Sequence, residues 1–177
     1  MKLKNEILSK NFLIYGFGKS GISSLKYLKK KNSCFIFDDD KKKIKNKYKK
    51  FFISKSKLLN NNFDYIVISP GININRCQLS NYLKKNQKKV ITDFDIFYKF
   101  NPEVLTITIT GTNGKSTTSK LLYDILKKHH YDTRLTGNIG NPILEEKRVT
   151  KNTIFVIEAS SYQLAYSKYF KSKFSII

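Results

Sequence analysis

Two glycine-rich loops constrain the fold more than any other feature of the sequence. The first covers residues 16–21 (G-F-G-K-S-G) and the second covers residues 110–117 (T-G-T-N-G-K-S-T). Each lies between an apolar run and a helical pattern, where glycine lets the chain turn sharply and brings helix N–H groups close to an anion. Two strand–loop–helix units of this kind predict an α/β protein with parallel strands.

Short apolar runs alternate with helical patterns along most of the chain. We predict strands at residues 11–15, 34–37, 65–69, 90–92, 104–110, 153–157 and 174–177, and helices at residues 20–30, 80–87 and 115–128. Residues 41–62 are polar and poorly periodic, and a break at residues 99–102 precedes the second unit. The chain is therefore expected to hold two successive α/β units.

The first loop matches the dinucleotide-binding pattern G-x-G-x-x-G. Asp38, at the end of the next predicted strand, follows Gly16 by 22 residues. This context and spacing are typical of dinucleotide-binding βαβ units. The loop predicts a phosphate-bearing ligand without saying which one, and Asp38 has an alternative interpretation as one of three solvated aspartates at residues 38–40.

The second loop is a P-loop with a displaced first glycine. Ile109 stands where G-x-x-x-x-G-K-[ST] has its first glycine, and the glycine comes two residues later. Backbone N–H groups would cradle phosphates, Lys115 would bring a charge to the β/γ-phosphates, and the Ser116 hydroxyl would ligate Mg²⁺. We expect ATP to bind here, on Gly111, Thr112, Asn113, Gly114, Lys115, Ser116 and Thr117.

A third candidate is Glu158, which directly follows the strand predicted at residues 153–157. A carboxylate at the C-terminal end of a parallel strand beside a P-loop strand is suited to hold a metal or a water. By itself, a glutamate at a strand end is more often a surface residue.

The net charge of +21 comes from 34 basic and 13 acidic residues, and seven lysines fall within residues 41–50. This run is either a nucleic-acid footprint or a solvated surface segment. Only Arg76, Arg134 and Arg148 are arginine, and specific nucleic-acid binders favour arginine, so the solvated segment is the preferred interpretation. No nucleic-acid partner is expected.

No apolar run approaches the roughly 18 residues that span a bilayer. Cys34 and Cys77 have neither disulfide-framework nor zinc-site spacing. We therefore expect a cytoplasmic protein with no membrane partner.

Five segments, taken in order, resemble the ATP-dependent Mur ligases. They are residues 16–21, Ser-Pro-Gly-Ile at 69–72, the P-loop at 110–117, Gly-Asn-Ile-Gly at 137–140, and Glu-Ala-Ser-Ser-Tyr-Gln-Leu at 158–164. The displaced P-loop glycine resembles the superfamily that includes folylpolyglutamate synthetase. The segments at 69–72 and 158–164 resemble the branch that adds D-glutamate.

The resemblance implies a Rossmann-like parallel-sheet N-terminal domain, at residues 1–98, followed at residues 99–177 by the first part of a P-loop-type α/β ATPase domain. The first domain would bind the UDP of UDP-N-acetylmuramoyl-L-alanine, with Asp38 near the uracil and the region of Thr92 and Asp93 lining the same site. The family often has glycine where Thr92 stands. The substrate contacts implied are Gly16, Phe17, Gly18, Lys19, Ser20, Gly21, Asp38, Ser69, Gly71 and Asn138.

The resemblance also implies the chemistry. ATP would phosphorylate the substrate carboxylate to an acyl phosphate, and the amine of D-glutamate would displace the phosphate to form an amide. Lys115 and Glu158 would be the catalytic residues, and Ser116 and Glu158 would each hold a Mg²⁺. The family continues into a metal-binding histidine and lysine and a third domain, which are absent here, so we expect this chain to be an incomplete and inactive part of a ligase that is monomeric at full length.

Two other classes stay open from the residues alone. A nicotinamide-binding Rossmann protein would explain the first loop and Asp38 but not the second loop. A nucleic-acid-binding module would depend only on the lysine run at residues 41–50.

Overall fold

The computed structural model, which describes residues 7–40, 42 and 44–177, contains two four-stranded sheets. The strands are β1 (Asn11–Tyr15), β2 (Ser33–Phe37), β3 (Tyr65–Ile68), β4 (Val90–Ile91), β5 (Leu105–Ile109), β6 (Thr133–Gly137), β7 (Ile154–Glu158) and β8 (Phe174–Ile176). The α-helices are α1 (Lys19–Leu28), α2 (Lys55–Leu59), α3 (Ser80–Lys85), α4 (Asp93–Phe100), α5 (Lys115–Lys128) and α6 (Ser161–Tyr166). The strand orders are β2-β1-β3-β4 and β6-β7-β5-β8, and the paired strands are parallel. The predicted α/β class with two parallel-sheet units is confirmed.

The first sheet brings three loops together at one edge. β1 is a central strand whose Phe12, Leu13, Ile14 and Tyr15 are all buried, as expected for a strand covered on both faces. Tyr15 is in register with Phe37 of β2 and with Ile68 of β3. The loops that begin at residues 16, 38 and 69 therefore start side by side.

The second sheet does the same around β7. Glu158, the last residue of β7, is in register with Ile109 of β5 on one side and with Gly137 of β6 on the other. The P-loop and the 137–140 loop consequently begin on either side of Glu158.

Helix α4 joins the two halves into one core. The Phe97 ring lies 4.6 Å from the Phe155 ring of β7, measured between centroids. One carboxylate oxygen of the buried Asp95 accepts the backbone N–H groups of residues 168, 169 and 170 at 2.8, 2.7 and 3.0 Å. The domain boundary predicted after residue 98 lies within α4 and stays a prediction.

Four elements were absent from the sequence-based prediction: α2, α4, β6 and α6. Within residues 41–62, where no regular structure was predicted, a 3₁₀-helix at Asn46–Phe51 precedes α2. Positions 41 and 43 of the lysine run lie outside the described residues, and the run's described lysines are exposed. Among the described residues, no helix is long and apolar enough to cross a bilayer.

Candidate functional site

A cavity of about 510 Å³ lies at the shared edge of the first sheet and is also lined from the second half of the chain. It is lined by nine of the ten residues predicted to contact the substrate: Gly16, Phe17, Gly18, Lys19, Ser20, Asp38, Ser69, Gly71 and Asn138. The tenth, Gly21, is buried and does not line it.

Asp38 holds the first loop in place. One of its carboxylate oxygens accepts the Phe17 N–H at 2.6 Å, and the other accepts the Asp40 N–H at 2.9 Å. The side chain is only 6% exposed. Both oxygens therefore serve the backbone of the site, and this loop-bracing role was not predicted from the sequence.

Ser69, the first residue after β3, braces the same loop. Its hydroxyl donates to the Gly16 carbonyl at 2.6 Å, and its N–H donates to the Tyr15 carbonyl at 2.9 Å. The glycine loop is thus tied to both neighbouring strand ends.

Gly21 allows α1 to approach this loop. A Cβ built at Gly21 would lie 2.1 Å from the Gly16 carbonyl oxygen, and no backbone atom can be displaced cheaply from that position. Glycine is required here for the close packing of helix on loop, as in other βαβ phosphate sites.

The N-terminus of α1 is open toward the cavity. Gly18 caps the helix without a side-chain hydrogen bond, and no acidic residue lies in the first turn. The first N–H groups of a helix have no partner within the helix and carry partial positive charge, so they favour an anion.

The P-loop has a different geometry. Lys115 folds back over it, with Nζ 2.6 Å from the Gly111 carbonyl oxygen and 3.0 Å from that of Thr112. Gly114, with φ +76°, caps α5 without a side-chain hydrogen bond. Thr112, Asn113, Gly114, Ser116 and Thr117 are exposed, so the second N-terminus is also free for an anion.

Glu158 lies between the two loops and is only 4% exposed. Its backbone carbonyl accepts the Asn138 N–H at 2.9 Å, and the Ala159 N–H donates to the Ile109 carbonyl at 2.9 Å. Its Oε2 atom is buried and has no hydrogen-bond partner among the described residues. A buried carboxylate oxygen without a donor is costly, and a hard cation would satisfy it.

The implied Mg²⁺ fits this arrangement. Among the described residues there is no cluster of three or more His, Cys, Asp and Glu side chains that could hold a metal. A Mg²⁺ here would therefore take some of its ligands from a bound nucleotide. Ser116 and Glu158 would each hold an ion together with phosphate oxygens, since Mg²⁺ is usually bound through one or two carboxylates plus substrate phosphates.

Thr92, predicted near the substrate site, and two residues of the segment at 158–164 have structural roles. Thr92 does not line the cavity, because its N–H donates to Asp95 at 2.9 Å and its hydroxyl lies 2.7 Å from that of Ser167. Ser160 and Gln163 form a capping box that starts α6. The S-x-x-Q spacing is a sequence signature of such a cap and could have revealed α6.

The fold and these two loops together indicate what kind of ligand the chain is suited to bind. Each of the two parallel α/β units has, after a glycine loop, a helix N-terminus that no side chain caps, and such N-termini are suited to an anion.

Comparison with known proteins identifies the family. The Mur ligase middle domain matches residues 109–176. The UDP-N-acetylmuramoylalanine–D-glutamate ligase of Caldicellulosiruptor saccharolyticus is 35% identical, over 94% of this chain and 39% of the relative. That of Caldicellulosiruptor bescii is 34% identical, over 97% of this chain and 40% of the relative, and that of Rickettsia bellii is 33% identical, over 94% and 37%. Residues 109–176 thus belong to the Mur ligase family, and the chain spans about two fifths of the length of these relatives.

A solved structure is similar at lower identity. It is the UDP-N-acetylmuramate:L-alanyl-gamma-D-glutamyl-meso-diaminopimelate ligase from Neisseria meningitides, with 14% identity, a TM-score of 0.44, and coverage of 86% of this chain and 52% of that chain. The fold assignment depends on the chain's own two parallel sheets.

Proposed function

We propose that this chain supplies the UDP-substrate site and part of the ATP site of a cytoplasmic ligase that joins D-glutamate to UDP-N-acetylmuramoyl-L-alanine, a step in making peptidoglycan precursors. The observation that carries the proposal is the position of Glu158. It ends the strand between the P-loop strand and the strand leading to Asn138, and its Oε2 is buried without a hydrogen-bond partner among the described residues. A carboxylate there is suited to hold a Mg²⁺ between a nucleotide phosphate and a substrate carboxylate.

The UDP-sugar would occupy the cavity beside α1. Its pyrophosphate would face the N–H groups at the start of α1, where the helix dipole favours an anion. Asn138 would contact the muramoyl end, since it reaches the same cavity from the second half of the chain.

ATP would bind at the P-loop. Lys115 Nζ lies 2.6 Å from the Gly111 carbonyl oxygen and 3.0 Å from that of Thr112. When ATP binds, Lys115 would exchange these contacts for contacts with the β/γ-phosphates. A charge-assisted contact with phosphate is stronger than a contact with a neutral carbonyl.

The reaction needs the repulsion between two anions to be overcome. The terminal carboxylate of the L-alanyl group attacks the γ-phosphorus, the bond from that phosphorus to the β-phosphate oxygen breaks, and ADP leaves. The D-glutamate amine then attacks the acyl phosphate, inorganic phosphate leaves, and the amide forms with loss of a proton. Ser116 and Glu158 would each hold a Mg²⁺, an ion that supplies neutralising charge for phosphoryl transfer. Lys115 would stabilise the same charge from the phosphate side.

The chain is proposed to need the remaining part of a ligase for turnover. Its relatives are about two and a half times as long, since the chain covers 40% of the first of them. Closing over the nucleotide, which keeps an acyl phosphate from water, is assigned to that remaining part.

The test is ATP-dependent incorporation of labelled D-glutamate into UDP-N-acetylmuramoyl-L-alanine. The chain is assayed alone and with a fragment carrying the remaining part of the Caldicellulosiruptor bescii ligase. We expect turnover only with the fragment. Turnover by the chain alone would contradict the assignment of closure to the remaining part.

A matched pair of variants tests the role of Glu158. Glu158→Gln keeps the shape but removes the charge, and we expect it to abolish turnover in the complemented assay. Glu145→Gln makes the same chemical change at an exposed residue paired with Lys26, and we expect turnover to persist. Equal activity of the two variants would contradict the proposed role.

Calorimetry with NAD and with the UDP substrate distinguishes a nicotinamide-binding protein from the function proposed here. Binding of NAD in place of the UDP substrate would favour that class. We expect the reverse, because both carboxylate oxygens of Asp38, the residue that would reach a ribose, already accept backbone N–H groups.

A further inference from the structure

A buried carboxylate from α4 is hydrogen-bonded to the first glycine loop at the cavity. Asp93, the first residue of α4, is 5% exposed and lines the cavity together with Ser20, the second residue of α1. The Ser20 hydroxyl oxygen and Asp93 Oδ2 are 2.6 Å apart. The other carboxylate oxygen, Oδ1, accepts the Phe94 N–H at 3.1 Å.

In this hydrogen bond the Ser20 hydroxyl donates to Asp93, so it cannot donate to a phosphate ligand. An ionised carboxylate has only acceptor oxygens, and a serine hydroxyl has a single hydrogen to donate. When Ser20 donates to Asp93, it presents only lone pairs to the cavity. A phosphate diester oxygen is also only an acceptor, so Ser20 in this state repels the group that the loop is built to bind.

The charge of Asp93 adds to the mismatch. The charged side chains lining the same cavity are Lys19 from α1 and Asp38, Asp39 and Asp40 from the loop after β2, and Asp95 lies near Asp93 on α4. Among these groups only Lys19 is positive, and an arriving diphosphate adds negative charge.

The surroundings of Asp93 already favour its neutral form. Burial raises the pKa of the Asp93 carboxyl, and the nearby charge of Asp95 raises it further. The hydrogen bonds from Ser20 and from the Phe94 N–H act in the opposite direction, and the net effect on the pKa is upward.

We propose that Asp93 takes up one proton when a diphosphate binds, and that the protonated carboxyl then donates to Ser20 so that the Ser20 hydroxyl donates to a phosphate oxygen. The proposal rests on the UDP-substrate site of the proposed function. The proton comes from solvent and binds Asp93 Oδ2, and no bond of the ligand breaks. Asp93 is thus a positioning residue that acts through Ser20.

The affinity of the site for a diphosphate should depend on pH. An anion bound nearby raises the pKa of Asp93 further, so proton uptake accompanies binding between the pKa of the free chain and that of the complex. Within this window the dissociation constant rises by up to tenfold for each pH unit, and outside it the constant is flat. Affinity therefore decreases as the pH increases.

The test is calorimetric titration of the full 177-residue chain with UDP-N-acetylmuramoyl-L-alanine. Running it in buffers of different ionisation enthalpy gives the number of protons taken up. The ligand's diphosphate diester and carboxylate stay ionised from mildly acidic to neutral pH, so the protons counted belong to the protein. We expect an uptake that approaches one proton within the window.

Three variants locate the proton. Asp93→Asn places an amide donor against Ser20 and removes the charge, so we expect tighter binding at neutral pH and no proton uptake. Asp40→Asn removes the same charge from an exposed residue lining the cavity, and the uptake should persist. Ser20→Ala should weaken binding about tenfold at low pH, because one charge-assisted hydrogen bond is lost. Thermal unfolding of each variant establishes that it is folded.

The outcomes separate this proposal from the proposed function. Binding without proton uptake at any pH would overturn this proposal and leave the UDP site standing. Unchanged low-pH affinity in Ser20→Ala would overturn the hydrogen-bond relay. A wild-type chain that binds no UDP substrate would overturn the proposed function and this proposal with it.

Discussion

The two phosphate loops differ in what holds them in shape. The first is braced by side chains from two other loops, since Asp38 accepts the Phe17 N–H and Ser69 donates to the Gly16 carbonyl. The second is exposed, and the described side-chain hydrogen bonds to its carbonyls come from its own Lys115. The first loop is thus held in shape by contacts with other loops, whereas in the proposed ATP complex the second would exchange an internal contact for an external one.

This difference fits the two ligands proposed. A loop already held by other parts of the chain loses little conformational entropy when it binds a UDP-sugar. A nucleotide triphosphate is bound mainly through its charge, for which a mobile lysine on an open loop is sufficient. Changes to packing should therefore damage the first loop, and changes to charge or backbone conformation should damage the second.

The largest effect is expected from Gly21→Ala. The new methyl group would lie 2.1 Å from the Gly16 carbonyl oxygen, so α1 must move away from the loop. We expect a loss of about 3 kcal/mol in the free energy of unfolding and loss of UDP-substrate binding, measured by chemical denaturation and calorimetry.

Gly18→Ala is the matched control. It adds the same methyl group in the same loop, where no atom lies within 4 Å of the new position. We expect a cost of about 1 kcal/mol or less, from the poorer helix cap. Equal costs at both positions would show that close packing is not what requires glycine at residue 21.

A smaller effect is expected from Asp38→Asn. An asparagine has one acceptor oxygen where the carboxylate has two, so either the Phe17 or the Asp40 N–H loses its partner. An unsatisfied buried N–H costs about 2 kcal/mol, and the looser loop should bind the UDP substrate at least tenfold more weakly. Calorimetry measures this, with Asp40→Asn as the control for charge. Affinity that falls equally in the control would attribute the effect to charge alone.

The smallest effect is expected from Gly114→Ala in the second loop. No atom lies within 4 Å of the new methyl group, but the φ of +76° is unfavourable for alanine. The cost should be about 1–2 kcal/mol, with MgATP binding weakened and UDP-substrate binding unchanged. Loss of the UDP site in this variant would contradict the independence of the loops.

Local sequence patterns were sufficient to predict most of the fold. The strands that form the two sheet centres are apolar runs, and α5 was predicted at its observed bounds. Of the missed elements, α4 and α6 each begin with a capping-box spacing that could have revealed them, whereas β6 has a weak local signal. β6 is an edge strand with the sequence TRLTG, and α4 (DFDIFYKF) is a short helix in which even Asp93 and Asp95 are buried. Tertiary contacts, which no local pattern records, stabilise α4.

The site could be predicted in part for the same reason. Each phosphate loop is contiguous, so its glycines and Lys115 were recognisable from spacing. The pairing of Ser20 with Asp93 joins residues 73 positions apart, and the contact of Asp95 with Tyr169 joins residues 74 apart. Such contacts follow from the sheet order and from α4, and neither was available from the sequence alone.

The central claim is that the chain holds two separate phosphate sites, and Lys115→Ala tests it most directly. Binding of MgATP and of UDP-N-acetylmuramoyl-L-alanine is measured on the same preparation, with Lys120→Ala, an exposed lysine on the same helix, as the charge-matched control. We expect MgATP binding to weaken about 100-fold, as for the loss of a charge-assisted contact, while UDP-substrate binding stays unchanged. The two-site account would be contradicted if Lys115→Ala weakened the binding of both ligands equally. It would also be contradicted if Lys115→Ala and Lys120→Ala weakened MgATP binding equally.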